Sequence, residues 1–92
     1  MGRATYKVEG GKMIKVQLGQ KDGKIEKIKI MGDFFFHPEE LIEEMETTLI
    51  DLPVEEKVIS GSIKSFIEAN KATLIGATPE DFAKCIMMAR DQ

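Results

Sequence analysis

The apolar positions of this 92-residue chain change period part-way along it. In the first third they alternate with polar ones. Tyr6 and Val8 fall on one side of the run 5–9. Ile14, Val16 and Leu18 share a face opposite Lys15 and Gln17, and Ile28 and Ile30 alternate with Lys27 and Lys29. A period of two marks a half-buried strand, so the runs 5–9, 12–18 and 24–31 predict three strands. Gly10-Gly11 and Asp22-Gly23 separate them, and both dipeptides suit hairpin turns because they tolerate positive φ. The product is an antiparallel meander with one apolar and one lysine-rich face. Ile25 breaks the alternation, which predicts a bulge near Glu26-Lys27 or an Ile25 turned to the other face.

After Gly32 the spacing becomes helical. Pro38 suits the first position of a helix, and Leu41, Ile42, Met45 and Leu49 form its stripe. Glu39, Glu40, Glu43, Glu44 and Glu46 fall on the remaining, wet side. A second helix is predicted from about Val54 to Ala69, with Val58, Ile59, Ile63, Phe66 and Ile67 inward. Gly61 inside it costs about 1 kcal/mol against alanine and offers a place to break it. Residues 70–77 read as a connector with a short apolar core, Leu74-Ile75. Thr78-Pro79-Glu80-Asp81 is close to a capping box and starts a third helix whose inner face is Phe82, Ala83, Ile86 and Met87. The order βββααα predicts an α+β fold: a three-stranded antiparallel sheet followed by three helices packed on one face. The length allows a single domain over 1–92.

Charge adds a pattern that the net value of −3 hides. Residues 1–32 are basic, residues 33–56 carry acids and no Lys or Arg, and the remainder is nearly balanced. Such asymmetry marks either a charged partner surface or a lysine-rich outer sheet face that discourages edge pairing. The apolar runs are too short to span a membrane, and the first residues lack the apolar core of a signal peptide, so the cytoplasm is the expected compartment.

Reactive groups are few: one histidine, His37, and one cysteine, Cys85. Two such residues fall short of a structural zinc set. A Cys85–His37 nucleophilic pair is formally open, but Cys85 lies in an apolar helical stretch, where a free cysteine is ordinarily a small core hydrophobe. The glutamates of the first helix have the spacing of a solvated face rather than of a metal site. Gly10-Gly11 sits between two strands, unlike a phosphate-binding loop. Most of the six methionines fall on predicted inner faces of helices. The unusual segment is Gly32-Asp33-Phe34-Phe35-Phe36-His37-Pro38. Three consecutive phenylalanines cannot share one small core in an extended chain. Either Phe34 and Phe36 point inward and Phe35 outward, or the reverse, and an outward aromatic is a ready docking anchor.

Gly10-Gly11-Lys12, the strand Ile14–Leu18, Asp22-Gly23-Lys24-Ile25 and Ile28-Lys29-Ile30-x-Gly32-Asp33-Phe34-Phe35 together resemble the accessory domain of lipoate-protein ligases over about residues 6–90. Phe36 stands where many members carry a small residue. The resemblance implies a fold similar to the SufE/NifU group. Because no catalytic domain accompanies it, the chain looks like the separate small subunit of a two-part, archaeal-type ligase. In that family ATP, Mg²⁺ and lipoate bind the large catalytic subunit, which forms lipoyl-adenylate and passes the lipoyl group to a lysine of an acceptor domain. The small domain is required for the adenylation half-reaction. The implied role is non-catalytic, in a heterodimer with the large subunit. The elements expected nearest that partner are Gly32, Asp33, Phe34 and Phe35, with Gly10, Gly11 and Lys12. Phe35 would be an anchor, and Asp33 would cap a backbone group or pair with a basic residue. Lys12 would approach the adenylate phosphates.

Two other classes stay open at this point. A SufE/NifU-like sulfur-acceptor or scaffold module would need an exposed, low-pKa cysteine. A nucleic-acid binder could use the lysine face, although a pI near 5.2 opposes it and the outward row lacks aromatics to stack on bases.

Overall fold

The computed structural model describes residues 2–91. β1 (Gly2–Lys7), β2 (Met13–Lys21) and β3 (Lys24–Gly32) form an antiparallel sheet in the order β1-β2-β3. Asp22 and Gly23 both have positive φ (56° and 77°) and make the two-residue turn their chemistry suits. The first hairpin is looser than a two-residue turn. Val8 N–H donates to the Lys12 carbonyl at 2.7 Å and Gly11 N–H to the Val8 carbonyl at 3.0 Å. The loop therefore spans residues 8–12, and β1 ends at Lys7 rather than Glu9.

The break in alternation at Ile25 is a bulge. Gly19 pairs with Lys27 and Gln20 with Ile25, so Glu26 is the extra residue of β3. The bulge restores Ile25 to the apolar face, where it is fully buried. Helix α1 (Leu41–Leu49), α2 (Glu56–Asn70) and α3 (Pro79–Arg90) cover that face, which makes the fold α+β as the period change predicts. The core joins Ile14, Val16 and Leu18 of β2 to Met45 and Leu49 of α1, Ile59 and Ile63 of α2, and Phe82, Cys85 and Ile86 of α3.

Local chemistry decides the helix ends. At α3, Asp81 N–H donates to Thr78 Oγ1 (3.1 Å) and Thr78 N–H to Asp81 Oδ2 (2.9 Å), a reciprocal capping box. Pro38 is not the first residue of α1. It opens a turn in which Leu41 N–H donates to the Pro38 carbonyl, and the helix begins three residues later. Gly61 does not divide α2, which is continuous through it. Val58 lies on the exposed side of α2. Of the methionines described, only Met45 is fully buried, while Met31 and Met88 are exposed; Met1 lies outside the described residues.

Two features depart from the periodicity. Phe35–His37 (β4) and Thr73–Ile75 (β5) pair antiparallel as a second, two-stranded sheet, in place of a plain loop and connector. Three-residue strands are too short to carry an alternation signal of their own. The other departure is Glu46, placed by its charge on the wet side of α1. It is buried, and its Oε2 accepts the Ile30 N–H at 2.7 Å. β3 is an edge strand whose outward backbone groups need partners, and α1 supplies one from a side chain.

Replacing Glu46 by alanine leaves a buried N–H without its acceptor and is expected to cost about 1–3 kcal/mol. Glu46→Gln, which keeps an acceptor, should cost less. Urea unfolding of the two variants beside the exposed control Glu44→Ala measures this, and equal losses for Glu44→Ala and Glu46→Ala would contradict it.

Candidate functional site

β2 and the end of β3 approach so closely at Gly32 that a Cβ there would overlap the Met13 carbonyl oxygen and stand 2.9 Å from the Phe34 ring. Only glycine fits this contact. The next residue fastens it: Met13 N–H donates to Asp33 Oδ1 at 2.6 Å, and Asp33 N–H donates to the Met13 carbonyl at 3.2 Å. Asp33 thus caps a backbone group, one of the two roles open to it in the sequence. Because Met13 follows Gly10-Gly11-Lys12, the staple brings that loop beside Gly32–Phe35. The sequence-derived candidates therefore gather at one end of the sheet.

Beyond the staple the phenylalanines alternate. Phe34 turns inward and meets Phe82 edge to face, with ring centroids 4.9 Å apart and planes at 88°. Phe36 is buried. Phe35 points outward, 52% exposed, its ring nearly parallel to that of His37 at 6.1 Å. Opposite Phe35 on β5 is Ile75, 58% exposed. Side chains directly opposed across strands are neighbours, so the pair forms one apolar knob. Ile75 is missed by sequence reasoning, which assigns it to a connector core, because only the β4–β5 register shows which way it faces. Gly76 follows, and a Cβ there would lie 2.5 Å from Lys12 Cγ, so the Lys12 stem runs across it.

An open groove of about 820 Å³ adjoins the knob. Lys29–Gly32 of β3 form one wall and Phe34–His37 the other, with Ile42 and the acidic side chains Glu39, Glu40 and Glu43 beside them. The outer sheet face is different in character. Its outward positions include Arg3 and Lys7 of β1, Lys15 of β2, and Lys27 and Lys29 of β3, all exposed.

The candidates for covalent chemistry stay apart. Cys85 is fully buried under β1 and β2, its Sγ 3.7 Å and 3.6 Å from the carbonyls of Ala4 and Ile14. Burial pushes its thiol up to about 11, against a smaller opposing pull from the Tyr6 backbone. His37 is exposed on β4 and stacked on Phe35, so no Cys85–His37 pair forms. Among the described residues, no three His, Cys, Asp or Glu side chains gather in a way that could hold a metal ion. Gly10-Gly11 joins two strands, and the Gly11 N–H is already bonded to Val8. Among the described residues, no helix is long and apolar enough to cross a membrane.

The family model for the C-terminus of bacterial lipoate protein ligases matches residues 3–86. The chain belongs to this family. Among solved structures, it is similar to a chain from the Thermoplasma acidophilum lipoylation system, described as a bi-partite lipoate protein ligase and its E2 lipoyl domain. The TM-score is 0.79 at 28% identity over 91% of each chain. No curated protein sequence matches the chain. Residues 10–12 and 32–35 both fall within the matched range, and the Met13–Asp33 staple joins these two elements.

The burial of Cys85 has a chemical consequence. At pH 8 the native chain is expected to react with a thiol reagent far more slowly than the chain unfolded in denaturant. Because the folded pKa lies above the ordinary thiol value of 9.0, the stabilisation from keeping the thiol neutral is complete below pH 9 and is lost as pH rises toward about 11. Equal labelling rates in the two states would contradict this.

Proposed function

We propose that this chain is the non-catalytic accessory subunit of a two-part lipoate-protein ligase. It acts in protein lipoylation by enabling a large catalytic subunit to activate lipoate to lipoyl-adenylate with ATP. The observation that carries the reading is the apolar knob of Phe35 and Ile75, standing exposed beside the stapled Gly32-Asp33 and Gly10–Lys12 elements. An aromatic left half in water, on a scaffold fixed by a charge-assisted hydrogen bond, has the form of an interface anchor. The family match and the likeness to a chain of the Thermoplasma acidophilum ligase system support the same reading.

The physical mechanism is a population shift. A rigid partner surface that binds the adenylation-competent arrangement of the large subunit more tightly than the alternatives raises its population by that differential affinity. The large subunit holds ATP, Mg²⁺ and lipoate, and the heterodimer acts in the cytoplasm on a lipoyl acceptor domain. The chain's own contribution is shape: Phe35 as anchor, Gly32 and Asp33 holding it, and Lys12 beside Gly76 facing the partner. The sulfur-acceptor reading is weaker, since it needs an accessible thiolate and Cys85 is neither exposed nor acidic.

The experiment mixes this chain with the large subunit and follows ATP- and lipoate-dependent pyrophosphate release. Release should depend on the chain. A large subunit that adenylates at full rate alone would defeat the proposal. In the same system, Phe35→Ala should weaken subunit association by more than about 1 kcal/mol, as loss of an aromatic hot spot does. Calorimetric titration measures it, and an unchanged affinity would remove Phe35 from the interface.

A further inference from the structure

The outer edge of β3 is closed along part of its length and open at one end. At its start, Ile25 N–H donates to the Leu52 carbonyl (2.9 Å), Asp51 N–H to the Ile25 carbonyl (2.8 Å) and Val54 N–H to the Gly23 carbonyl (2.9 Å). In the middle, Ile30 N–H is taken by Glu46. The two-residue alternation of an antiparallel ladder then fixes the direction of the remaining backbone groups of the strand. Since Ile30 N–H points away from β2 and Asp33 N–H points toward Met13, the backbone groups of Gly32 and the Ile30 carbonyl turn outward. They turn into the groove whose facing wall is Phe35–His37. β4 pairs with β5 on one side only, so its alternate residues present backbone groups on the other.

The groove therefore has two strand edges as walls. Its lining mixes polar groups with the apolar side chains of Ile30, Phe34, Phe36 and Ile42. Its acidic side chains, Glu39, Glu40 and Glu43, are all exposed, and Lys29 alone among its lining residues carries the opposite charge. From this we infer that the groove receives an extended segment of the large catalytic subunit. The segment would have apolar side chains alternating with Lys or Arg and would add as a strand between β3 and β4. A strand is favoured over a helix because a helix has used its own backbone groups and would leave both walls unpaired, whereas an added strand bonds to edge groups and places alternate side chains in pockets. The basic residues answer the three glutamates. The inference rests on the proposed role as accessory subunit and specifies the contact by which that role is exercised.

Amide hydrogen exchange on this chain, alone and in complex with the large subunit, provides the test. Complex formation should slow exchange at Gly32 and at one or more of Phe35, Phe36 and His37 by at least about tenfold, the scale of one stable hydrogen bond. The triple variant Glu39→Lys, Glu40→Lys, Glu43→Lys, with its melting temperature checked, should lose about tenfold or more in affinity, whereas Lys15→Glu on the open sheet face should not. A complex that forms without new protection in the groove, or with protection on the lysine face, overturns the inference while the accessory role stands. A groove protected equally in the chain alone at high concentration assigns it to a second copy and also overturns it. If the two subunits do not associate, the accessory role fails, and this contact fails with it.

Discussion

The contact on which the site depends is the carboxylate of Asp33 on the backbone of Met13, with Gly32 pressed against the same residue's carbonyl. It is a charge-assisted hydrogen bond between residues 20 apart, and such bonds are about twice as strong as neutral ones. Its location matters more than its strength. It locks the end of β3 to the start of β2 and sets the direction in which the chain departs. The chain bends at Asp33 and Phe34 before β4 begins; Phe34 packs against the core, and along β4 Phe36 is buried while Phe35 is left half in water. Phe34 finds Phe82 of α3 at right angles, which ties the exit loop to the last helix.

The second constraint is the exposed edge of the sheet. A three-stranded sheet has two edges, and an uncovered one invites pairing with other chains. This molecule treats the edge of β3 piecewise. The α1–α2 loop pairs with its start, a buried glutamate serves its middle, and acidic side chains stand beside its end. The basic outer face and the acidic groove are then opposite answers to neighbouring problems. Lysines on the flat face deter stacking, while exposed glutamates give the groove a negative rim. The apolar knob of Phe35 and Ile75 stands next to the groove, so its hydrophobic and electrostatic features lie on adjoining surfaces.

The three strands, three helices and capping box were legible because each rests on local chemistry, and the bulge at Glu26 was legible as one of two readings of Ile25. Alternation, helical spacing, turn dipeptides and one irregular isoleucine are properties of neighbours in sequence. The candidate residues at Gly10–Lys12 and Gly32–Phe35 were legible by resemblance, and the alternation of the phenylalanines by geometry up to a choice between two faces. The features that were not legible involved partners far apart in the chain. Glu46 looks like its neighbouring glutamates until Ile30 N–H is placed beside it, and Ile75 looks like a core residue until β5 pairs with β4. Pro38, a good first helical residue, instead opens the turn between β4 and α1.

By itself, then, the sequence determined an α+β chain with an amphipathic sheet, helices to cover it, few reactive groups and two motifs of a known family. The tertiary structure decided which phenylalanine faces water, that the two motifs meet, that one glutamate is structural, and that a groove with two strand edges lies beside them. The physical reason is the range of the forces involved. Periodicity and turn chemistry act between residues a few positions apart, whereas the pairing of a lone N–H with a carboxylate, or of two three-residue strands, exists only after the sheet and helices have brought distant segments together.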